Sequence, residues 1–208
     1  MDITLSKKIL DYWIPKDGKP DYDKWFLKSS NYDNEIKELF GDILKEAEKG
    51  KGFGWLISKD SYVAYIILMD QFSRHIYRGT PKAYKNDHGT MIFTELGFDL
   101  YKDQLKGYEF MFSFMPYMHT ESINYQKKGF EIFNDIYNSI KYNKLDSNYK
   151  IDLEYEKMIE NMHTHVTGHY VVIRDFNRFP KRNKILGRIS TPKEINYLNK
   201  KNVKNRSY

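Results

Sequence analysis

The stretch Val63-Ala-Tyr-Ile-Ile-Leu-Met69 decides the fold, because a helix built from it would be apolar on every side. A helix of that kind is normally buried in a protein core. Asp70, Arg74 and Arg78 follow it on one helical face, four residues apart. Asp70 can pair with Arg74 in the favoured acid-first order, which leaves Arg78 to find another acceptor. We therefore expect a buried helix over 58–79 whose polar continuation forms buried ion pairs or lines a cleft, with one surplus arginine that could attract an anion.

Helical periodicity continues on both sides of this central stretch. Capping residues and apolar spacing predict further helices over about 30–50, 80–97, 120–142 and 146–173, and a capping box at Thr191-Pro-Lys-Glu194 opens a last short one. No segment has the alternating pattern and hairpin turns of β-strands. The sequence therefore predicts an all-α protein, with residues 1–208 forming one helical domain that ends in a short basic tail.

Composition restricts the class of protein and its compartment. With 208 residues, 40% of them hydrophobic, the chain is long enough and apolar enough to bury a core. It contains no cysteine, which excludes disulfides and thiolate chemistry. No signal peptide is visible, and no apolar run approaches the roughly 20 residues of a membrane span. We therefore expect a cytoplasmic protein that does not enter a membrane.

The net charge of +6 is concentrated at the C-terminal end. Residues 181–208 contain nine lysines and arginines against one acid, Glu194, so this segment carries +8. Such an end can attract nucleic acid or an anionic surface, but it is more often a solvated tail. Nucleic acid is therefore an alternative partner and not the favoured one, and the sequence leaves the oligomeric state open.

An arginine-rich segment leads into this tail. Four arginines fall within fifteen positions, interleaved with phenylalanine, proline and asparagine: Arg174, Arg178, Arg182 and Arg188. Arginine is suited to clamping a carboxylate or phosphate through two parallel hydrogen bonds. Either these arginines pin the segment to acidic side chains and helix C-termini, or they form a pocket for an anion.

Histidines supply a second candidate chemistry. If a helix begins at His119, one of its stripes contains His119, Ile123, Gln126, Phe130, Phe133, Tyr137 and Ile140. His119 and Gln126 would then face the core, either as satisfied structural groups or as the polar floor of a pocket. His165 and His169 have the i, i+4 spacing of two metal ligands, but no third ligand is evident. We therefore predict no metal and no cofactor.

Several stretches carry a more specific pattern. They are Leu10-Asp-Tyr-Trp13, Trp25-Phe26, Leu68–Thr80, Met115–Glu121 with Gln126, and a closing segment that begins at His169 and ends at Glu194. Together they resemble the bacterial family called domain of unknown function 924 (DUF924), over about residues 5–200. The resemblance implies an all-α fold like the helical arrays of tetratricopeptide repeat (TPR) proteins, an α-superhelix. It implies no known reaction.

The resemblance also implies a single site, made of Asp70, Gln71, Arg74, Arg78, His119, Glu121, Gln126, His169, Arg178, Arg182 and Asn183. The chain departs from the family pattern at His75 (usually Asn), Asp175 (Arg), Asn177 (Gly) and Lys181 (His). Because asparagine tolerates the left-handed backbone conformation that glycine supplies, the turn at residue 177 should survive. Asp175 removes a positive charge from the proposed anion site.

Three functions are compatible with these features. The first is a helical binding protein with an arginine- and histidine-rich pocket for a small anionic ligand or a peptide carboxylate. The second is a hydrolase-type enzyme with His119 or His169 as the acid/base and Glu121 as its orienter or a second carboxylate. The third is a TPR-like adaptor that binds protein or RNA. A histidine beside Glu121 that faces a cavity would favour the enzyme, and a filled core would favour the adaptor.

Overall fold

The computed structural model describes residues 3–50, 53–142 and 156–204, and within these ranges the secondary structure is helical, with no strand. The α-helices are α1 (Ile3–Trp13), α2 (Tyr22–Phe26), α3 (Ser30–Glu48), α4 (Lys59–Ile66), α5 (Ser73–Ile76), α6 (Asp87–Tyr101), α7 (Gly107–His119), α8 (Ile123–Lys141), α9 (Glu156–Phe176) and α10 (Pro192–Lys204). Shorter elements are a π-helical turn, Ile67–Phe72, and 3-10 turns at Phe53–Leu56, Pro81–Tyr84 and Pro180–Arg182. The all-α prediction is confirmed, whereas the TPR-like superhelix and the single domain over 1–208 stay predictions. Over the same ranges, no helix is both long enough and apolar enough to cross a bilayer.

The helix α4 lies at the centre of the core, as its apolar stretch predicted. Every side chain from Tyr62 to Met69 is at most 8% exposed. Helices α1, α6 and α7 pack around α4. Full burial of a large apolar side chain contributes about 1.5–3 kcal/mol, so burial of this segment stabilises the fold. Ser58 begins the helix through a capping box with Ser61.

The predicted central helix over 58–79 is present as a helical run from Lys59 to Ile76, which ends three residues earlier than predicted and is not α-helical throughout. The π-helical turn Ile67–Phe72 widens the backbone where the polar residues begin. Nearby side chains bind its carbonyls: Ser73 Oγ donates to Met69 O, and Arg74 Nη1 donates to Asp70 O, both at 2.7 Å. Turns of this type are frequent at functional sites, and this one places the Asp70 carboxylate in the protein interior.

The helix α7 was not predicted, and it moves His119 from the start of one helix to the end of another. Every residue from Phe110 to Met118 is buried, so α7 lacks the polar face that gives an amphipathic period. Pro116 inside α7 also disfavours a helix in the sequence. Because α8 begins only at Ile123, His119 and Gln126 do not share a helical stripe, and that interpretation was wrong.

Helix α6 continues past Gly97, the residue at which a stop was predicted. Gly97 is small for a packing reason, because a Cβ atom there would lie 2.2 Å from ring carbons of Tyr62. Pro81 opens a 3-10 turn, and α6 itself begins at Asp87. In a sequence, a glycine that leaves room for a neighbouring aromatic ring cannot be distinguished from a glycine that ends a helix.

The C-terminal elements agree with the sequence where they are described. Asn177 follows α9 with φ 57°, so it adopts the left-handed conformation expected in place of glycine. The capping box of α10 is confirmed, because Thr191 N donates to Glu194 Oε2 (2.7 Å) and Glu194 N donates to Thr191 Oγ1 (3.3 Å). The predicted start of α9, at residue 146 or 147, lies outside the described residues.

Candidate functional site

Asp70 is the centre of a buried polar cluster. Its carboxylate forms an ion pair with Arg74 Nη1 at 2.9 Å and accepts a hydrogen bond from His119 Nδ1 at 2.8 Å, and its side chain is fully buried. Gln71 Nε2 donates to the same carboxylate and contacts the Met115 sulfur at 3.1 Å. Burial alone would raise the pKa of Asp70, but the charge of Arg74 and the hydrogen bonds from His119 and Gln71 hold that pKa at about 2. The carboxylate is therefore ionised at neutral pH.

A chain of charged groups extends from Asp70 to the arginine-rich segment. Arg74 Nη2 donates to Asp87 Oδ1, and Arg182 Nη1 donates to Asp87 Oδ2, both at 2.9 Å. Arg182 Nη2 donates to the backbone carbonyl of His119 at 2.9 Å. Asp87, the first residue of α6, thus joins the two arginines, and Arg182 fixes the end of α7.

Two aromatic rings hold the Arg182 guanidinium from its faces. Its central carbon lies 4.4 Å from the centroid of the Tyr84 ring and 4.6 Å from that of Phe179. Guanidinium groups stack favourably on aromatic faces. Its donors bind Asp87 and a backbone carbonyl and its faces are covered by rings, so the guanidinium of Arg182 is held in one position.

Glu121 anchors the arginine-rich segment to the start of α8. Arg188 donates to both Glu121 oxygens, at 2.6 and 2.9 Å, and the Phe179 backbone N–H donates to Oε1 at 2.7 Å. Burial would raise the pKa of Glu121, but these donors lower it. The acid that orients His119 is therefore Asp70, and Glu121 is occupied elsewhere.

The hydrogen bonds of His119 and His169 fix the tautomer of each ring. Because the Asp70 carboxylate is ionised and can only accept, the Nδ1 atom of His119 carries a proton. His169 Nδ1 lies 2.8 Å from the His165 carbonyl oxygen, which also can only accept. In a neutral ring, Nε2 of each histidine is then an unprotonated acceptor. Among the described residues, none forms a hydrogen bond with either Nε2 atom.

Both histidines are held in the neutral state. Burial, followed by the charge of Arg74, lowers the pKa of His119 below its ordinary value. Burial, followed by the proximity of His119, lowers the pKa of His169 to about 4. The two ring centroids lie 6.4 Å apart in an edge-to-face arrangement. At neutral pH the site therefore presents two neighbouring imidazole bases.

These histidines line a cavity of about 650 Å³ between α7, α9 and α2. Its walls carry His119, His165, His169 and Asn161, with Tyr22 and Phe26 of α2, and five methionines: Met111, Met115, Met118, Met158 and Met162. The His119 side chain is 20% exposed. In the described part of the chain, no three His, Asp or Glu side chains are placed to hold a metal ion. The cavity is thus a mostly apolar space with imidazole groups in its wall.

Comparison with known proteins identifies the family. A family model described as a bacterial protein of unknown function (DUF924) matches residues 9–202. The chain belongs to the DUF924 family. It is also similar to the structure of ATU0120, a protein of unknown function from Agrobacterium tumefaciens, with 29% sequence identity over 94% of this chain and 97% of that one and a TM-score of 0.72. No curated protein matches the chain.

In this DUF924 protein the structure brings together six of the residues predicted for the site: Asp70, Gln71, Arg74, His119, His169 and Arg182. The amide nitrogen of Gln126 binds backbone carbonyls instead. Its Nε2 donates to Met118 O and Thr120 O, both at 2.8 Å. The interpretation of Gln126 as a satisfied structural group is therefore favoured over a pocket floor.

Three more of the predicted residues hold the arginine-rich segment in place. Glu121 does so through Arg188. Arg178 donates to both oxygens of Glu194, at 2.7 and 2.8 Å. Asn183 accepts from Arg188 Nε at 3.0 Å and donates to Ser190 Oγ at 3.0 Å. These contacts agree with the interpretation in which the arginines pin the segment to acidic side chains.

Arg78 belongs to a different cluster. It donates to both oxygens of Asp33 on α3, at 2.5 and 2.8 Å, and His75 Nδ1 lies 2.8 Å from Asp33 Oδ1. The surplus arginine expected from the sequence therefore has an acceptor, and it does not join the cluster around Asp70. Its partner comes from a helix about forty residues earlier, which helical spacing cannot reveal.

Asp87 and the cavity methionines were missed at the sequence level. An acid in the first turn of a helix is ordinary capping and dipole chemistry, so Asp87 gave no separate signal of a role between two arginines. Methionines at helical spacing resemble core residues, and Met111, Met115 and Met118 are indeed at most 6% exposed. Only the tertiary structure distinguishes a methionine that fills the core from one that lines a cavity.

Proposed function

We propose that this DUF924 protein is a hydrolase in which His119 is the general base and general acid, Asp70 orients it, and the substrate is an uncharged ester bound in the 650 Å³ cavity. One observation carries the proposal: an ionised, buried aspartate fixes the tautomer of a neutral histidine that lines an open cavity. Histidine in this arrangement is the most common acid–base group in enzymes.

The proposed reaction uses water as the nucleophile. The described residues that line the cavity include no serine, threonine or lysine. The water oxygen attacks the ester carbonyl carbon while Nε2 of His119 accepts the water proton. The tetrahedral intermediate then breaks its bond to the alkoxy oxygen, and the imidazolium returns that proton to the leaving oxygen. Water plus ester thus gives acid plus alcohol, and the histidine ends unchanged.

Asp70 and His169 have separate roles in this mechanism. Asp70 stabilises the imidazolium form of His119 after the proton is accepted, as a carboxylate behind a catalytic histidine does. His169, whose pKa of about 4 keeps it neutral, offers a second acceptor on a ring whose centroid lies 6.4 Å from that of His119. A water molecule that donates to both Nε2 atoms would be held in position for attack.

The ion pairs of the arginines support this proposal over the anion-binding alternative. Each guanidinium of Arg74, Arg178, Arg182 and Arg188 is bound to an acidic side chain, so binding a small anion there would require breaking an existing ion pair. An open cavity beside His119 also argues against an adaptor that only uses its surface. Anion or peptide-carboxylate binding, protein or RNA binding and the cytoplasmic location stay predictions. A phosphate-induced rise in melting temperature above that of a chloride control would revive the anion hypothesis.

The direct test is hydrolysis of a panel of p-nitrophenyl and methyl esters by the purified protein. We expect His119→Gln to lose about 10²–10⁴-fold of the turnover. The matched control is His88→Gln, because His88 is exposed on α6 and does not line the cavity. Retained turnover in the control and loss in the site variant support the proposal. Equal rates in the unsubstituted protein and in His119→Gln overturn it.

A further inference from the structure

The cavity beside His119 has an unusual wall. The chain contains eight methionines, and five of them line this one cavity. Met111, Met115 and Met118 lie on α7 with i, i+4, i+7 spacing, which is one face of a helix. Met158 and Met162 lie on α9 with the same four-residue spacing. Two facing helices thus each present a stripe of thioethers to the same space.

Both stripes lead to histidines. On α7 the stripe ends at His119, and on α9 it continues through His165 to His169. Because the rings of His119 and His169 lie 6.4 Å apart, the polar ends of the two stripes meet. The axial distance from Met111 to His119 is roughly 12 Å at 1.5 Å per residue. The cavity is therefore an elongated apolar space with the proposed base at one end.

The charge of the walls limits the ligand. None of the described residues that line the cavity is a lysine, arginine, aspartate or glutamate, and His119 and His169 are neutral. A carboxylate placed among the thioethers and beside neutral His119 and His169 would lose its hydration without gaining a cation there. Burial of an unpaired charge is strongly unfavourable. The cavity therefore selects an uncharged molecule.

The flexibility of the walls limits the shape of the ligand. Methionine is unbranched, has three rotatable bonds and adapts to irregular apolar groups. Tyr22 and Phe26 of α2, which also line the cavity, are 50% and 54% exposed, so they form its rim. The neighbouring Trp25 anchors α2, because its buried Nε1 donates to Trp13 O at 3.0 Å. A flexible alkyl chain can lie along the thioethers and reach these two rings.

Building on the proposed hydrolase function, we infer that the substrate is the uncharged ester of a medium-length, unbranched alkyl chain. Its ester group lies at His119, and its chain lies between Met111, Met115, Met158 and Met162. The methionine stripes determine the preference for the alkyl chain, and His119 performs the proton transfers. The two features are therefore separable by experiment.

The ligand class is tested by measuring the binding of an ester probe to the His119→Gln variant, because this variant should not hydrolyse the probe. The methionine methyl groups are labelled with ¹³C, and methyl octanoate is titrated while the methyl resonances are followed. We expect shifts for the five cavity methionines and none for Met91, which is fully buried on α6 away from the cavity. Octanoate should bind at least about tenfold more weakly, because its charge has no partner. Met162→Gln should also weaken binding of the ester, and the Met91 resonance shows whether that variant is folded.

The outcomes separate the ligand class from the reaction. If methyl octanoate shifts none of the five cavity methyl groups, or if octanoate binds as tightly, the inferred ligand class is overturned even where shorter esters are hydrolysed. If methyl octanoate binds the cavity but the unsubstituted protein never hydrolyses it, the ligand class stands and the hydrolase proposal is overturned.

Discussion

Two clusters in this protein contain the same three kinds of side chain. One joins Asp70, His119 and Arg74, and the other joins Asp33, His75 and Arg78. In both clusters a histidine Nδ1 lies 2.8 Å from the carboxylate, and an arginine also binds that carboxylate.

Their surroundings differ in what the second ring nitrogen can reach. The His75 side chain is 4% exposed and packs edge-to-face on Trp13, with ring centroids 5.5 Å apart. Its ring also has a backbone hydrogen-bond partner at Trp25. His119 lines a large cavity and has no described partner at Nε2. An Asp–His pair is therefore a candidate for chemistry only where the ring keeps an accessible lone pair.

The strongest test of this difference compares Asp70→Asn with Asp33→Asn. An asparagine behind His119 can donate to Nδ1, so it favours the tautomer with the proton on Nε2 and removes the base. We expect turnover of an ester substrate to fall by about 10²–10⁴-fold in Asp70→Asn and to change little in Asp33→Asn. Steady-state kinetics at saturating substrate measure both. Similar losses in the two variants would remove the distinction between the clusters.

The next test concerns stability and uses Arg74→Ala. Arg74 is 18% exposed in its side chain and binds two carboxylates, Asp70 and Asp87. Its removal leaves a fully buried Asp70 without its principal cation. We expect the free energy of unfolding to fall by about 3–5 kcal/mol, the usual cost of breaking a buried ion pair. Urea denaturation measures this value, and a loss below about 1 kcal/mol would mean that the pair behaves as a surface one.

The sequence alone predicts only part of this difference between the two clusters. The apolar run before Asp70 predicted the central buried helix, and helical spacing predicted the Asp70–Arg74 pair, because both depend on residues within one helix. The π-helical turn and the all-round apolar α7 give no periodic signal of their own.

Residue spacing also could not predict which side chains bind each other when they lie on elements far apart in the sequence. Glu121 precedes α8 and was expected beside His119, but the nearby Arg188 and the Phe179 N–H take its oxygens. Asp70 binds His119 Nδ1 instead, because the π-helical turn Ile67–Phe72 places its carboxylate in the protein interior. Asp33 reaches Arg78 only because α3 packs against α5. These choices are set by tertiary packing, which one sequence without its fold does not specify.

The third test uses pH and His169. The folded protein holds the pKa of His169 at about 4, below the ordinary value of 6.5. Above pH 6.5 both states are neutral, so the stability does not depend on this group. As the pH falls from 6.5 to 4, the unfolded state binds a proton that the folded state does not, so stability falls by at most about 1.4 kcal/mol per pH unit.

His169→Gln should therefore flatten the decline of stability between pH 6.5 and pH 4. His75→Asn should remove a contribution of the same sign, since burial also lowers the pKa of His75. Urea denaturation at half-unit intervals of pH measures both slopes. If His75→Asn flattens the decline while His169→Gln leaves it unchanged, the pH dependence of stability arises from the cluster around Asp33 and not from the histidine that lines the cavity. That result would contradict the prediction.

The smallest expected effect is that of Arg78→Ala, the counterpart of Arg74→Ala. The Arg78 side chain is 35% exposed and Asp33 is 18% exposed, so water can replace part of the lost interaction. We expect a loss of about 0.2–1 kcal/mol near neutral pH.

Because the charge of Arg78 contributes to the lowered pKa of His75, its removal should raise that pKa, and His75 can then serve as the cation beside Asp33. The destabilisation should therefore be smaller at pH 5.5 than at pH 8, and an NMR titration of the His75 ring should show the raised pKa directly. A loss that grows as the pH falls would mean that His75 cannot replace Arg78, and that the second cluster is as rigidly specified as the first.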